Sequence, residues 1–299
     1  MSRLRAPGAS GALAAAALAG LACLAGPRAL RAESPPPARV ERDLPTFPGA
    51  GPRQRVDVHA PASTAGGPVV VFVHGGGWRR GDRSRVGEKP AGFTARGVVL
   101  VSAGYRLHPE VSVHEQAADV ARAVRWAREN AERYGASPER IFLMGHSAGA
   151  HLAAWVALDP RFLAAEGLRP GALRGVVLLD GAGYDVPRQV QDGEHGALRR
   201  LYTTVFGDDP VRQRDASPLA HVGGGGMPPP FLLFHVAARR DAATQAEALA
   251  GRLREAGGEA TVVPVADRSH RTLNTRLGTP GDGPTERILA FLGVPPPAP

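Results

Sequence analysis

One short stretch carries residues of the right types and spacing for nucleophilic chemistry. In Gly145-His146-Ser147-Ala148-Gly149 a serine stands between two glycines, directly after the apolar run Ile141-Phe142-Leu143-Met144 and before an apolar helical pattern from Ala150 to Leu158. This order predicts a strand, a sharp turn and a helix. A serine hydroxyl is a weak nucleophile, so it must be exposed on such a turn within reach of a base, and glycines on either side remove the Cβ atoms that would block it. Five residues alone would also suit an ordinary small-residue turn. The context that favours chemistry is His74-Gly75-Gly76-Gly77-Trp78, which follows the β-branched run Val69 to Val73. Backbone N–H groups of Gly76 and Gly77, with that of Ala148, can bind the oxyanion of a tetrahedral intermediate, and three adjacent glycines leave a substrate free to approach them.

A serine of this kind needs a histidine, and the chain offers ten. His270 is the chosen base, because Asp267-Arg268-Ser269-His270 follows the last strand-like run and shortly precedes the final helical pattern. His235 lies inside a strand-like run and reads as a core histidine, and His146 and His151 flank Ser147 too closely to turn an imidazole onto its hydroxyl. A carboxylate must then fix the imidazole tautomer. Asp241 is selected, because it follows the run Phe231 to Val236, one strand before His270, and gives the chain order Ser, Asp, His. It would equally suit a helix start. Asp267 stands only three residues from His270, and Asp180 and Asp185 follow a different strand.

Several elements must position these groups. Val69 to Val73, Val98 to Ser102, Ile141 to Met144, Val176 to Leu179, Phe231 to Phe234 and Ala260 to Val263 are apolar runs suited to strands buried on both faces of a parallel sheet. Arg55 to His59 alternates like a half-buried antiparallel edge strand. Helical spacing appears between Glu115 and Tyr134, where Gly135 stops it, and again over Ala243 to Leu253 and Thr285 to Leu292. Residues 184 to 226 lack clear periodicity and read as short helices and loops over the site. Strands alternating with helices predict an α/β fold with a mostly parallel sheet and helices on both faces, whose ligands bind at the carboxyl ends of the strands.

Composition narrows the alternatives. The formal charge is +8, but residues 1 to 32 hold four arginines and no acid, so their removal would leave +4. Lys89 is the only lysine, and no run of basic residues interleaved with aromatics points to nucleic acid. Neither spaced Cys/His pairs nor a His-Glu-x-x-His helix suggests a metal, and no phosphate-binding loop is present, so no cofactor is expected.

The set His74 to Trp78, Gly104-Tyr105-Arg106-Leu107, Gly145 to His151, Asp241 and His270 resembles the α/β-hydrolase superfamily. Within it, the resemblance is to the esterase branch with a His-Gly-Gly-Gly-Trp oxyanion motif, including hormone-sensitive-lipase-like, kynurenine-formamidase-like and carbohydrate-esterase-like members. It covers roughly residues 43 to 293. It implies the α/β-hydrolase fold, Ser147 as nucleophile, Asp241 and His270 completing the triad, and Gly76, Gly77 and Ala148 as the oxyanion hole. The expected function is cofactor-independent cleavage of a small-molecule ester through an acyl-enzyme. Amide cleavage of the arylformamidase or peptidase kind, and a non-catalytic binding protein on the same scaffold, are the alternatives.

The expected organisation is a secretory signal peptide over residues 1 to 32, a Pro/Gly-rich spacer over 33 to 53, one α/β-hydrolase domain over 54 to 293 and a Pro-rich tail over 294 to 299. Arg3 and Arg5 precede an Ala/Leu run from Ala9 to Ala25, followed by small residues. The run is short for a membrane span, so no stable span is expected after cleavage and the mature chain would be exported. Retention as a membrane-anchored chain or a cytoplasmic location is the alternative. Cys23, the only cysteine, sits in a poor match to a lipid-attachment sequence.

Overall fold

The computed structural model describes residues 39–191 and 196–296. The signal peptide read over 1 to 32, with Cys23, and the proline run at 35 to 37 lie outside the described residues.

Eight strands form one sheet: β1 (Arg39–Pro45), β2 (Arg55–Ala60), β3 (Gly67–Val73), β4 (Val99–Ala103), β5 (Ala136–His146), β6 (Gly175–Leu179), β7 (Phe231–Val236) and β8 (Ala260–Val265). Their order across the sheet is β1-β2-β4-β3-β5-β6-β7-β8. The pairs β1/β2 and β2/β4 are antiparallel and all others parallel. This is the α/β-hydrolase fold, as expected.

The sequence reading of Arg55 to His59 as an edge strand is corrected. Residues Val56 to Ala60 are all buried, because β1 covers the outer side of β2 and is itself the edge. The charged, proline-ended β1 falls in the stretch assigned to the spacer, so the sheet begins at Arg39 and not near residue 54. Charge and proline are what a solvent-facing edge strand tolerates, and they make it resemble a linker.

The central strands explain the fold's two-sided core. In β3 the side chains of Val69, Val71 and Val73 enter one apolar cluster and those of Val70 and Phe72 the other. Each buried Val or Phe side chain contributes roughly 1.5–3 kcal/mol. One face is covered by α2 (Val113–Asn130), α3 (Ala148–Leu158) and α8 (Arg240–Glu255), the other by α1 (Lys89–Thr94), α9 (His270–Thr275) and α10 (Gly283–Phe291). Ser112 and Glu115 cap α2 reciprocally, each side chain accepting from the other's backbone N–H. A short 3₁₀ turn follows and ends at Gly135, whose φ of 73° is left-handed.

Residues 184 to 226 do form short helices, α5 (Val186–Gln191), α6 (Gly196–Phe206) and α7 (Pro210–Asp215), while α4 (Pro160–Ala165) extends the layer beside α3. No helix among the described residues is long and apolar enough to cross a membrane.

Candidate active site

Ser147 sits at the β5–α3 junction with φ 56° and ψ −123°. A residue with a side chain adopts this region only at a cost of roughly 1–3 kcal/mol, which the surrounding contacts must outweigh. The Ser147 N–H donates to the Leu179 carbonyl of β6 at 3.0 Å, pinning the turn to the neighbouring strand. The flanking glycines are required by contact. A Cβ on Gly145 would lie 2.1 Å from the Gly149 carbonyl oxygen, and one on Gly149 would lie 2.3 Å from that of Val73.

The loop after β3 brings the glycine run beside this turn. Gly76 has φ 132°, and a Cβ there would lie 2.1 Å from the Arg80 carbonyl oxygen. Its own carbonyl accepts from the N–H groups of Arg79 and Arg80, which closes the loop. Tyr105 supports it from below: its hydroxyl donates to the His74 carbonyl at 2.9 Å and its ring stacks on the His74 imidazole at 4.3 Å. Gly76, Gly77 and Ala148 all line one cleft with Ser147, and their N–H groups make no hydrogen bond among the described residues. Unengaged backbone donors lining a cleft beside a serine are the groups that can stabilise an oxyanion.

His270 lies in the same cleft as the first residue of α9, whose N-cap is Ser269. Its partner is Asp180. Asp180 Oδ2 is 2.6 Å from His270 Nδ1, and Asp180 Oδ1 accepts from the Val236 N–H at 2.9 Å. Asp180 ends β6 in a left-handed conformation, φ 48°, which aspartate tolerates better than most residues. Burial pushes its carboxyl up, but the His270 hydrogen bond, the Arg239 charge and the Val236 amide outweigh this and bring it down to about 2. An ionised carboxylate only accepts, so His270 Nδ1 carries the proton and Nε2 keeps the lone pair a base needs.

The sequence assignment of Asp241 to this role is corrected. Helix α8 begins one turn earlier than its apolar spacing suggests, so Asp241 falls in its first turn and its carboxylate binds Arg239 Nη2 at 2.9 Å. Arg239, not Asp241, faces His270. Its Nη1 donates to Asp180 Oδ2 at 2.7 Å and stands 2.9 Å from His270 Nδ1. Both nitrogens are donors, so they converge on one carboxylate oxygen without bonding each other. Asp180 follows β6 rather than β7, so chain order alone points past it to Asp241. The signal for Asp180 in the sequence was its position immediately after the buried run Val176 to Leu179 and before Gly181.

Two histidines of the elbow have structural work instead. His146 Nε2–H donates to the His270 carbonyl at 2.9 Å, tying the turn at Ser147 to the backbone of His270. Burial and the neighbouring His270 charge lower it to about 3, so it stays neutral. His151 Nε2–H donates to the Ala216 carbonyl at 2.8 Å, and its Nδ1 accepts from the Trp78 indole at 3.3 Å. Trp78 therefore couples the glycine loop after β3 to α3. His235 is buried in β7, as expected for a core position.

Ser147, His270 and Asp180 share a cleft of about 690 Å³ with the three amides. Ser147 Oγ makes no hydrogen bond among the described residues.

The fold is that of the α/β hydrolases, and the cleft sets a His-Gly-Gly-Gly-Trp loop beside the Ser147 turn. Residues 56–168, which hold that loop and the serine elbow, match the BD-FAE family model. The chain is 30% identical over 268 residues to the esterase LipQ of Mycobacterium tuberculosis, an alignment covering 84% of this chain and 62% of LipQ. It is 27% identical over 249 residues to the isoprenylcysteine alpha-carbonyl methylesterase ICME of Arabidopsis thaliana, covering 75% of this chain and 55% of that protein. It thus spans little more than half the length of these relatives. Among solved structures, a thermophilic esterase of Thermogutta terrifontis with butyrate bound superposes with a TM-score of 0.60 at 25% identity, covering 80% of this chain and 86% of that one. Esterase B of Lactobacillus rhamnosis superposes with a TM-score of 0.68 at 22% identity over 88% of both chains, a likeness of fold.

Proposed function

We propose that the protein is a serine hydrolase that cleaves a small-molecule ester through an acyl-enzyme. The observation that carries this reading is the coexistence, in one cleft, of Ser147 on a strained turn, His270 oriented by a buried carboxylate, and three unengaged amides. The esterase names of LipQ and of the Thermogutta protein support it.

In the proposed reaction Ser147 Oγ attacks the ester carbonyl while His270 Nε2 takes its proton. The carbonyl oxygen, now negative, accepts from the N–H groups of Gly76, Gly77 and Ala148. His270 returns the proton to the departing alcohol, and the acyl group remains on Ser147. A water molecule, deprotonated by the same Nε2, attacks this acyl-enzyme; Nε2 then returns that proton to Ser147 Oγ as the acyl–Oγ bond breaks, and the free acid leaves. Asp180 holds the imidazole in the required tautomer and stabilises the imidazolium that forms twice in each cycle.

The test is turnover of short 4-nitrophenyl esters together with labelling by a fluorophosphonate. Ser147→Ala is expected to lose both. Wild-type turnover in that variant would overturn the reading, and cleavage of N-formyl or peptide amides in preference to esters would replace it with the amide-hydrolase alternative.

A further inference from the structure

Most charge inside the cleft is of one sign. The only carboxylate among its lining residues is Asp180, and both its oxygens are already engaged by Val236, His270 and Arg239. Arg80, Arg85 and Arg271 line the same cavity, and none of their guanidinium groups has a hydrogen bond or ion pair among the described residues. They come from two elements that also carry the site. Arg80 and Arg85 follow the oxyanion glycines, and Arg271 is the residue after His270. The nearest acid on the first of these loops, Asp82, is directed to the Ser84 N–H at 2.9 Å.

Arg80, Arg85 and Arg271 are exposed, so they keep their water and present charge to an entering substrate, which suits a charged group better than a hydrocarbon chain. Elsewhere in the cleft Leu198, Leu201 and Tyr202 provide an apolar surface. The cavity is therefore chemically divided.

We propose that this cleft selects anionic esters: substrates that carry a carboxylate or comparable anion in the acyl or alcohol part, received by Arg80, Arg85 and Arg271. Planar guanidinium groups suit carboxylates by paired N–H donors, and a cavity lined by one sign of charge raises the local concentration of the opposite sign. The inference rests on the ester-hydrolase reading above.

The experiment compares kcat/KM within two matched pairs. The acyl arm sets the 4-nitrophenyl monoester of glutaric acid against 4-nitrophenyl pentanoate. The alcohol arm sets 4-acetoxybenzoate against its methyl ester. The anionic member of at least one pair is expected to be favoured about tenfold or more at low salt, and the responding arm identifies which part of the substrate meets the arginines. That ratio should shrink towards one at about 0.5 M NaCl, where screening is short-ranged, and in Arg80→Gln/Arg85→Gln/Arg271→Gln. The corresponding triple lysine variant, which keeps the charge, should retain most of it. If neutral esters are cleaved in a Ser147-dependent way and neither anionic member is preferred, the inference is overturned and the hydrolase reading stands. If no ester is cleaved and Ser147 is not labelled, both fall.

Discussion

Asp180 Oδ2 accepts the Nδ1–H of His270 at 2.6 Å, across the end of a strand that is not the one immediately before the histidine. The same oxygen receives Arg239, which in turn holds Asp241, so a carboxylate, a guanidinium and a second carboxylate run in series behind the imidazole. Asp180→Asn should keep the geometry but reverse the tautomer, because an amide NH₂ can donate to Nδ1. A loss of about 10⁴ in kcat is expected, as for the equivalent change in serine proteases. Asp241→Asn removes only a part-exposed ion pair and should change kcat by less than about fivefold. Steady-state kinetics of the two variants side by side decide it, and the reverse ranking would restore Asp241.

Gly76 is held at φ 132° against the Arg80 carbonyl. Gly76→Ala forces a Cβ into an atom 2.1 Å away, so the loop must shift and its amides move off the oxyanion position. The expected effect is a fall in kcat of about 10²–10³ with a smaller change in KM. Equal losses in fluorophosphonate labelling rate would locate the defect at the transition state, whereas an unfolded circular dichroism spectrum would locate it in the fold.

What could be read from residues alone follows the physics of each signal. The parallel strands were legible because a strand buried on both faces must be apolar throughout, as Val69 to Val73 is. The sharp turn at Ser147 and the glycine loop after β3 were legible because their glycines answer local steric needs. Asp180 was not, because its role depends on β6 lying beside β7 and on where α8 starts, neither of which leaves a local pattern. Edge strand β1 was hidden for the opposite reason: its exposed, charged residues look like linker.

Trp78 bonds the buried His151 through its indole and packs edge-on against Tyr202 and Phe206. Trp78→Phe keeps most of the packing but leaves His151 Nδ1, in a fully buried ring, without a donor. Stability should fall by about 1–3 kcal/mol, or roughly 2–4 °C in Tm for each kcal/mol in a domain of this size. Thermal unfolding measures this. An unchanged Tm would mean that the indole contact contributes nothing.

The buried histidines set the acid limit of stability. Burial lowers His74 and His151 to about 4 and His146 to about 3, partly opposed by their bonds to the carbonyls of Gly75, Ala216 and His270. In the unfolded chain they take up protons from about pH 6.5 downward. The unfolded state therefore binds more protons between roughly pH 6.5 and 4, so stability is full above this window and is lost as pH falls through it. Each histidine contributes a slope of up to about 1.4 kcal/mol per pH unit. Urea unfolding at pH 7, 6 and 5 should show a steepening loss, and a flat profile would contradict neutral burial. Asp180, held at about 2, adds its own loss only below about pH 4.

Lys89 extends a slope of the same sign into the alkaline range. It is fully buried, donates to the carbonyls of Val86 at 3.2 Å and Asn274 at 2.7 Å, and has no carboxylate partner among the described residues. Burial lowers it to about 7. In the unfolded chain it stays protonated to about pH 10.4. The unfolded state thus holds the extra proton between these values, and the destabilisation, complete below pH 7, is relieved as pH rises. Stability should therefore climb by up to about 1.4 kcal/mol per unit from pH 7 to 9, before the raised, buried hydroxyls of Tyr105, Tyr184 and Tyr202 begin to oppose it near pH 10. Lys89→Met loses two hydrogen bonds, which shifts its stability at every pH, but it has no proton to release and should abolish the climb. Urea unfolding of both proteins at pH 7, 8 and 9 compares the slopes, and a climb that survives in Lys89→Met would assign it to another group.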